Sequence, residues 1–168
     1  MIKNTCLNKV QLTQAVKSED IFVHPVLLDS LSYCLVKSGQ IIRSCIDELL
    51  EDYNLLAPHL SILILLINVG EINQLSLGEM MGIDKATMVK LIDALESQGL
   101  VERIIDQKDR RAKLINVTKK GLKFADKMTI ERKKIEAELL SDFSKSDIES
   151  MKRILPQMLI TLKNKTKK

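Results

Sequence analysis

The sequence predicts a mainly α-helical chain with one small β-hairpin, an α+β fold. Apolar residues recur at three- and four-residue spacing in several long segments, which is the pattern of helices that bury one face. Two short runs rich in β-branched residues flank the charged segment Asp106–Arg111, which indicates a hairpin. Aromatic content is only 3%, with no Trp, so the core must be built from aliphatic side chains.

The N-terminal half is predicted to contain one long helix. Residues 1–24 are polar with scattered apolar positions, and they fit either a partly helical or a loosely ordered arm. Pro25 suits a first helical turn, and an apolar stripe then runs from Val26 to about Asp52. Gly39 interrupts this first predicted helix, where it permits a bend or close packing.

Three shorter helices are expected next. The second predicted helix runs from Pro58 to Val69 and is strongly apolar, yet it falls well short of the roughly 20 residues that span a bilayer. We therefore expect a buried helix in a cytoplasmic protein without membrane contact. The third predicted helix, Gln74–Met81, is capped by Asn73 and ends at the turn residue Gly82. The fourth is capped by Asp84, runs to Gln98 and stops at Gly99.

The remaining chain predicts two strands and two helices. The strands are Leu100–Ile104 and Ala112–Val117. Thr118 caps a fifth helix to about Leu140, and Ser144 with Asp147 resembles a capping box for a sixth. Pro156 lies inside that last helix, where it should kink the helix or cost about 3 kcal/mol unless it is accommodated.

Charge and cysteine content narrow the functional class. The net charge of +4 permits nucleic-acid binding without requiring it, but the cations cluster between Lys108 and Lys127, where eight basic residues face two acidic ones. Three cysteines at no metal-binding spacing indicate free thiols in a reducing compartment. Two unclustered histidines argue against a metal sensor, and we expect no cofactor.

The fourth predicted helix has two different faces. Met88, Leu91, Ile92 and Leu95 should pack on the third helix, and Gly78 permits close approach there. The opposite face carries small, hydroxyl and cationic side chains of the kind that contact base edges and phosphates: Lys85, Ala86, Thr87, Val89 and Lys90. An ordinary solvated helix face would look similar, so this helix alone does not decide the function.

The hairpin tip favours DNA binding. It holds Lys108, Arg110 and Arg111, whose long cationic side chains suit an A·T-rich minor groove. Asp109 lies among them, and a carboxylate in this position can hold Arg111 or Arg110 in a fixed orientation. The alternative for Asp109 is a surface residue that balances charge.

Three motifs follow one another between Leu77 and Gly121: the run Leu77-Gly-Glu-Met-Met-Gly-Ile-Asp-Lys-Ala-Thr, the Asp-Gln-Lys-Asp-Arg-Arg tip, and a strand that ends in Val-Thr before a Lys-Gly helix start. Together they resemble the MarR family of transcription regulators. In helix order the resemblance extends over roughly 25–162. It implies a winged helix-turn-helix lobe over residues 58–118, and a helical dimerisation region over residues 25–57 and 119–168.

The resemblance also implies a function. A homodimer would place its fourth predicted helices in successive major grooves of a pseudo-palindromic DNA operator, with Lys85, Ala86, Thr87, Val89 and Lys90 facing DNA. Lys108 and Arg110 would lie on the wing, where Arg111 matches the minor-groove arginine and Asp109 its partner. Such proteins are typically repressors tuned by a small-molecule or stress signal.

Effector and redox sites are implied less directly. A ligand cleft between the lobe and the dimerisation helices would include Tyr33, Arg43 and His59, for each of which a core or surface role is the alternative. Cys34 lies near the position where some relatives sense peroxides, although a cysteine in an apolar stripe is more often inert.

Two other functional classes fit the sequence less well. A winged-helix interaction module that has lost DNA binding is the main alternative, and the retention of Lys90, Arg110 and Arg111 argues against it. An enzyme is not expected, because the sequence contains no nucleophile–base set, phosphate-binding glycine loop or paired carboxylate motif.

Overall fold

A computed structural model of the chain describes residues 25–107 and 112–165, and it confirms the mainly helical class with a small β-hairpin. The chain divides into two compact units, Met1–Lys133 and Lys134–Lys168. The elements are α1 (Pro25–Leu28), α2 (Leu31–Leu50), a 3-10 turn (Glu51–Tyr53), α3 (Ala57–Val69), β1 (Ile72–Asn73), α4 (Gln74–Met81), α5 (Lys85–Ser97), β2 (Val101–Ile105), β3 (Lys113–Val117), α6 (Lys119–Leu139) and α7 (Lys145–Lys165).

The first predicted helix is broken near its start, so the expectation of one helix from Val26 to Asp52 was wrong at that end. Ser30 has extended backbone angles, and its hydroxyl accepts a hydrogen bond from the Tyr33 N–H at 3.3 Å. The side chain thereby caps α2 and ends the short α1 before it. Gly39 lies inside α2, where a Cβ atom would meet nothing within 4 Å.

The predicted caps of the helix-turn-helix are confirmed. The side-chain oxygen of Asn73 accepts from the Ser76 N–H at 2.9 Å, and the Asp84 carboxylate accepts from the Thr87 N–H at 3.0 Å. Gly82 has a φ of 65°, the left-handed conformation that a side chain disfavours, and it turns the chain from α4 into α5. The two helices are therefore delimited by interactions that span only three or four residues.

The sheet has three antiparallel strands in the order β1–β3–β2. The sequence predicted two of these strands and missed β1, in which Ile72 pairs with Ile115. The predicted β2 also began one residue early. Leu100 is buried, and its backbone N–H donates to Leu95 while its carbonyl accepts from Thr118, so it joins the ends of two helices.

One aliphatic core holds the first unit together, and it crosses both predicted lobe boundaries. Leu50 and Leu55 enter it from the N-terminal side, and Ala125 and Met128 of α6 enter it from the other. The other buried members are Leu60, Ile62, Leu63, Leu66, Leu77, Met88, Leu91, Ile92, Leu95, Leu100, Val101 and Ile115. The helix-turn-helix thus packs directly against the ends of its flanking helices and shares one core with them.

Gly78 allows α4 and α5 to pack closely, as predicted. A Cβ atom at this position would lie 2.9 Å from the Ile83 carbonyl oxygen, closer than a real contact permits, and 4.0 Å from Met88. Only glycine fits here without moving the turn.

The second unit contains the end of α6 and the helix α7. The predicted capping box is present: the Asp147 N–H donates to the Ser144 hydroxyl at 3.2 Å, and the Ser144 N–H donates to the Asp147 carboxylate at 3.3 Å. Aspartate therefore takes the place that glutamate usually occupies. The helix continues through Pro156 to Lys165.

Candidate nucleic-acid interface

The two faces of α5 are divided as the sequence predicted. Met88, Leu91, Ile92 and Leu95 are buried in the core and fix the helix in place. The opposite face is exposed at Lys85, Ala86, Thr87 and Lys90, and Val89 is half-buried. The helix therefore presents two ammonium groups and several small side chains on a rigid support, near an N-terminus whose dipole also favours negative charge.

The hydroxyl of Thr87 is engaged within the helix cap. Its Oγ1 atom donates to Asp84 Oδ2 at 2.7 Å, while the Thr87 N–H donates to the other carboxylate oxygen. The hydrogen bond from the Thr87 hydroxyl, aided by the one from its N–H, holds the pKa of Asp84 below its usual value, so the carboxylate is ionised near neutral pH. Thr87 keeps its methyl group and oxygen lone pairs for an external partner.

The predicted wing tip, Lys108, Asp109, Arg110 and Arg111, lies outside the described residues. Its base is described: the Asp106 N–H donates to the Ala112 carbonyl at 3.1 Å, and Ile105 pairs with Lys113. The two strands are thus held together up to the last residue pair before the tip. The proposed orientation of an arginine by Asp109 stays a prediction.

Arg103, which the sequence pattern did not single out, connects β2 to both helices of the helix-turn-helix. Its Nη2 atom lies 2.6 Å from Asp93 Oδ1, and its Nη1 atom donates to the Glu96 carboxylate. Its backbone N–H donates to Glu96 at 3.1 Å, and Nη2 reaches Gln74 Oε1 of α4 at 3.4 Å. The only sequence signal was the three-residue spacing of Asp93 and Glu96, which puts both carboxylates on one side of α5.

The two carboxylates that contact Arg103 stabilise its charge. Its side chain is only 20% exposed, and burial by itself would lower its pKa. The hydrogen bonds and charges of Asp93 and Glu96 outweigh burial and raise the pKa instead. The Arg103 guanidinium therefore stays charged at neutral pH.

The three predicted effector residues have different surroundings. Tyr33 is half-buried in α2, and Arg43 is mostly exposed with its Nε atom 3.6 Å from Asp47. His59 is only 5% exposed, and its Nδ1 atom accepts from the Leu56 N–H at 2.8 Å, so this nitrogen caps α3. Asp47 completes that cap by accepting from the Ala57 N–H at 2.6 Å.

An open pocket of about 640 Å³ lies beside the end of α2. Its lining contains the carboxylates of Asp47, Glu48 and Glu51 and none of Tyr33, Arg43 and His59. Three carboxylates make this surface unfavourable for an anion.

Two of the three cysteines, Cys34 and Cys45, lie in the described residues, and both belong to α2. The Cys34 thiol is half-buried and donates to the Leu28 carbonyl at 3.4 Å, and Cys45 is buried in α2. Within residues 25–107 and 112–165, no group of three metal-ligating side chains comes together.

No single helix in the described part of the chain is long and apolar enough to cross a membrane. A pair of segments, Leu31–Tyr53 and Ala57–Val69, passes that test by length and composition only when taken together, with a bend of 86° between them. The second segment supplies Leu60, Ile62, Leu63 and Leu66 to the core.

Comparisons with known proteins agree with this geometry. Residues 55–113 match the model of the MarR family. The Bacillus subtilis (strain 168) protein YwoH, described as an uncharacterized HTH-type transcriptional regulator, is 28% identical over 123 residues, which cover 73% of this chain and 89% of YwoH.

Two solved structures share the fold. Staphylococcus aureus MepR, determined as a DNA complex, is 25% identical and superposes with a TM-score of 0.70 over 79% of this chain and 98% of MepR. CouR from Rhodococcus jostii RHA1, bound to p-coumaroyl-CoA, is 26% identical, with a TM-score of 0.70 over 80% of this chain and 95% of CouR. The family model covers the entire helix-turn-helix, and these structures extend the similarity to the flanking helices, so the chain is similar in sequence and fold to DNA-binding transcriptional regulators of the MarR family.

Proposed function

We propose that this regulator is a homodimeric repressor that binds a pseudo-palindromic operator. In this proposal the two copies of α5 enter successive major grooves, and the two wings reach the adjacent minor grooves. The observation that carries the proposal is the exposed face of α5 with Lys85, Thr87 and Lys90, held on a rigid core. The MepR–DNA complex, which has the same fold, supports this role for the lobe.

The contacts are assigned by side-chain chemistry. Lys85 and Lys90 are exposed cations that suit phosphate oxygens, and Ala86, Thr87 and Val89 are small enough for base edges to approach. On the wing, Lys108, Arg110 and Arg111 provide the charge for a minor groove, with Asp109 as the partner of one arginine.

Exposed apolar side chains on α2 and α7 support dimerisation. Near the N-terminal end of α2, Leu31 is 71% exposed and Val36 is also exposed. On α7, Leu159 is 69% exposed, and Ile154 and Ile160 are exposed too. A single chain leaves these surfaces in water, and a second copy would bury them.

Repression released by a small molecule or stress signal is the proposed mode of control. The ligand-bound structure of CouR supports an effector for a protein of this fold. The pocket beside α2 has the volume of a small-molecule site, but its three carboxylates disfavour an anionic ligand there.

Selection of DNA from a random library by the purified protein tests the function directly. Enrichment of an inverted repeat, with half-sites about one helical turn apart, is the expected result. A dimer by light scattering that enriches no sequence would instead support the interaction module without DNA binding. A monomer at the concentrations used for binding would contradict the dimeric arrangement.

The sign of regulation and the effector need separate measurements. Transcription from a promoter that contains the selected site should fall when the regulator is added, and a rise would identify an activator. A panel of small molecules and oxidants can then be screened for release of the protein from this site.

A further inference from the structure

Arg103 lies at the point where the wing meets the helix-turn-helix. We call its contacts with Asp93, Glu96 and Gln74 the Arg103 tie. They join three elements, because Arg103 belongs to β2, the two carboxylates to α5 and the amide to α4. By contrast, the ion pairs Arg43–Asp47 and Lys152–Glu149 each join residues three or four apart within a single helix.

The position of β2 in the sheet explains why the tie matters. The strand order β1–β3–β2 makes β2 an edge strand, paired on one side only. Opposite its β3 side, the Arg103 N–H donates to Glu96 of α5 at 3.1 Å. The edge that carries the chain to the wing tip is therefore fastened to α5 by a backbone contact and a side-chain contact at the same residue.

Arginine is suited to this place in a way that lysine is not. Its planar guanidinium presents several N–H donors in a fixed geometry, and here they reach two carboxylates and one amide oxygen. An ammonium group could satisfy one of these partners well but could not fix the angle between the strand and the helix.

We propose that Arg103 and Glu96 are positioning residues for DNA recognition, which set the direction of the wing relative to α5 so that both reach their grooves together. The proposal rests on the proposed function, since it assumes that α5 and the wing both contact DNA. It assigns to Glu96, an acidic residue on a DNA-binding helix, a favourable effect on binding to a polyanion.

The sign of that effect makes the proposal testable. Glu96→Ala removes one negative charge, so simple electrostatics predicts equal or tighter DNA binding. If the Arg103 tie orients the wing, Glu96→Ala should instead weaken DNA binding by roughly tenfold, because α5 and the wing lose their common orientation. Glu79→Ala is the matched control, because it removes the same charge from an exposed position on α4 outside the tie.

The salt dependence separates positioning from a loss of folded protein. Fewer phosphate contacts should flatten the slope of log affinity against log salt by about one unit or more in Glu96→Ala, and Glu79→Ala should leave the slope unchanged. A loss of folded protein would lower the active fraction without changing that slope. Circular dichroism and light scattering establish that the variant is a folded dimer under the assay conditions.

Asp93→Ala provides a second variant in case Glu96→Ala does not fold. Asp93 is more exposed and contacts Arg103 through one oxygen at 2.6 Å, so a smaller loss of affinity in the same direction is expected. If Glu96→Ala and Asp93→Ala bind the operator as tightly as Glu79→Ala, the positioning role is wrong.

Failure of the underlying function gives a different pattern. If α5 does not contact DNA, Lys90→Ala leaves both affinity and salt slope unchanged, and the positioning role falls with it. If Lys90→Ala flattens the slope while Glu96→Ala behaves like Glu79→Ala, only the role of the tie is refuted.

Discussion

The hydroxyl of Thr87 donates its proton to the Asp84 carboxylate at 2.7 Å, at the first turn of the helix proposed to enter the major groove. A hydroxyl has a single proton to donate, so a base or phosphate acceptor could use it only by breaking this bond to an ionised group. Thr87 is therefore expected to meet DNA through its methyl group.

Thr87→Val should keep most of the operator affinity, within about threefold, since it retains the shape and methyl group and removes a hydroxyl whose proton is already used. Gel-shift titration on the selected operator measures the change. Thr87→Ser is the matched variant that keeps the hydroxyl and removes the methyl group. A loss of tenfold or more in the valine variant, with none in the serine variant, would show that the hydroxyl contacts DNA.

Lys90→Ala should flatten the slope of log affinity against log salt by about one unit for each phosphate that the variant no longer touches. Lys90 is exposed on α5 and has the flexible ammonium group that suits a phosphate. Lys37→Ala removes the same charge from α2, outside the helix-turn-helix, and should leave the slope unchanged. Equal slopes for both variants and the wild type would mean that Lys90 does not touch phosphate.

Arg111→Ala should weaken operator binding by about 1–3 kcal/mol while the dimer persists. The reason is loss of a cation from an A·T-rich minor groove, where the negative potential is strongest. Affinity is measured by gel shift on the selected operator and the oligomer by light scattering. Unchanged affinity across several operator fragments would exclude a minor-groove role for this arginine.

The helix-turn-helix could be predicted because local interactions define it. Asn73 and Asp84 each cap a helix by accepting a hydrogen bond from the backbone N–H three residues later, and Gly82 provides the turn. These signals are therefore present in the local sequence. The buried face of α5 follows from helical periodicity in the same way. The exposed face was predicted as its complement, and its role in DNA binding needed the resemblance to the family.

The features that the sequence did not predict depend mostly on pairs that are distant in the chain. Ile72 pairs with Ile115, and Gln74 meets Arg103 across 29 residues, so no local pattern predicts either contact. The break at Ser30 was missed for a different reason. The apolar spacing continues through it, and a single serine hydroxyl decides where α2 begins.

Gly121→Ala should destabilise the fold by about 1–3 kcal/mol or more, the range for overpacking a closed site. A Cβ atom at this position in α6 would lie 2.0 Å from the Leu100 carbonyl oxygen, and backbone cannot move aside as a flexible side chain can. Urea denaturation at fixed protein concentration measures the free energy of unfolding.

Gly39→Ala is the control for that substitution. It lies inside α2, where the added methyl group would meet nothing within 4 Å, so the change should stabilise the helix by up to about 1 kcal/mol. Similar stability changes in the two variants would contradict the close approach of Gly121 to Leu100.

The stability of the protein should fall as pH drops below about 6.5, and His59 should account for part of the fall. Burial lowers the pKa of His59, against the opposing effects of the Leu56 carbonyl and the Asp47 charge. The unfolded chain therefore binds a proton at a pH where the folded chain does not. The contribution of His59 to folding stability is complete above its ordinary pKa of 6.5. It is lost as the pH falls from there towards the lowered pKa of His59 in the folded chain.

The structural reason is that Nδ1 must be unprotonated to accept from the Leu56 N–H at the start of α3. His59→Gln keeps an acceptor at this helix position and removes the titration, so its stability should fall less than that of the wild type between pH 7 and pH 5. Urea denaturation at each pH, with protein concentration held constant, gives the two curves. Since every other titrating group is common to both proteins, parallel curves would mean that His59 has no part in the acid sensitivity.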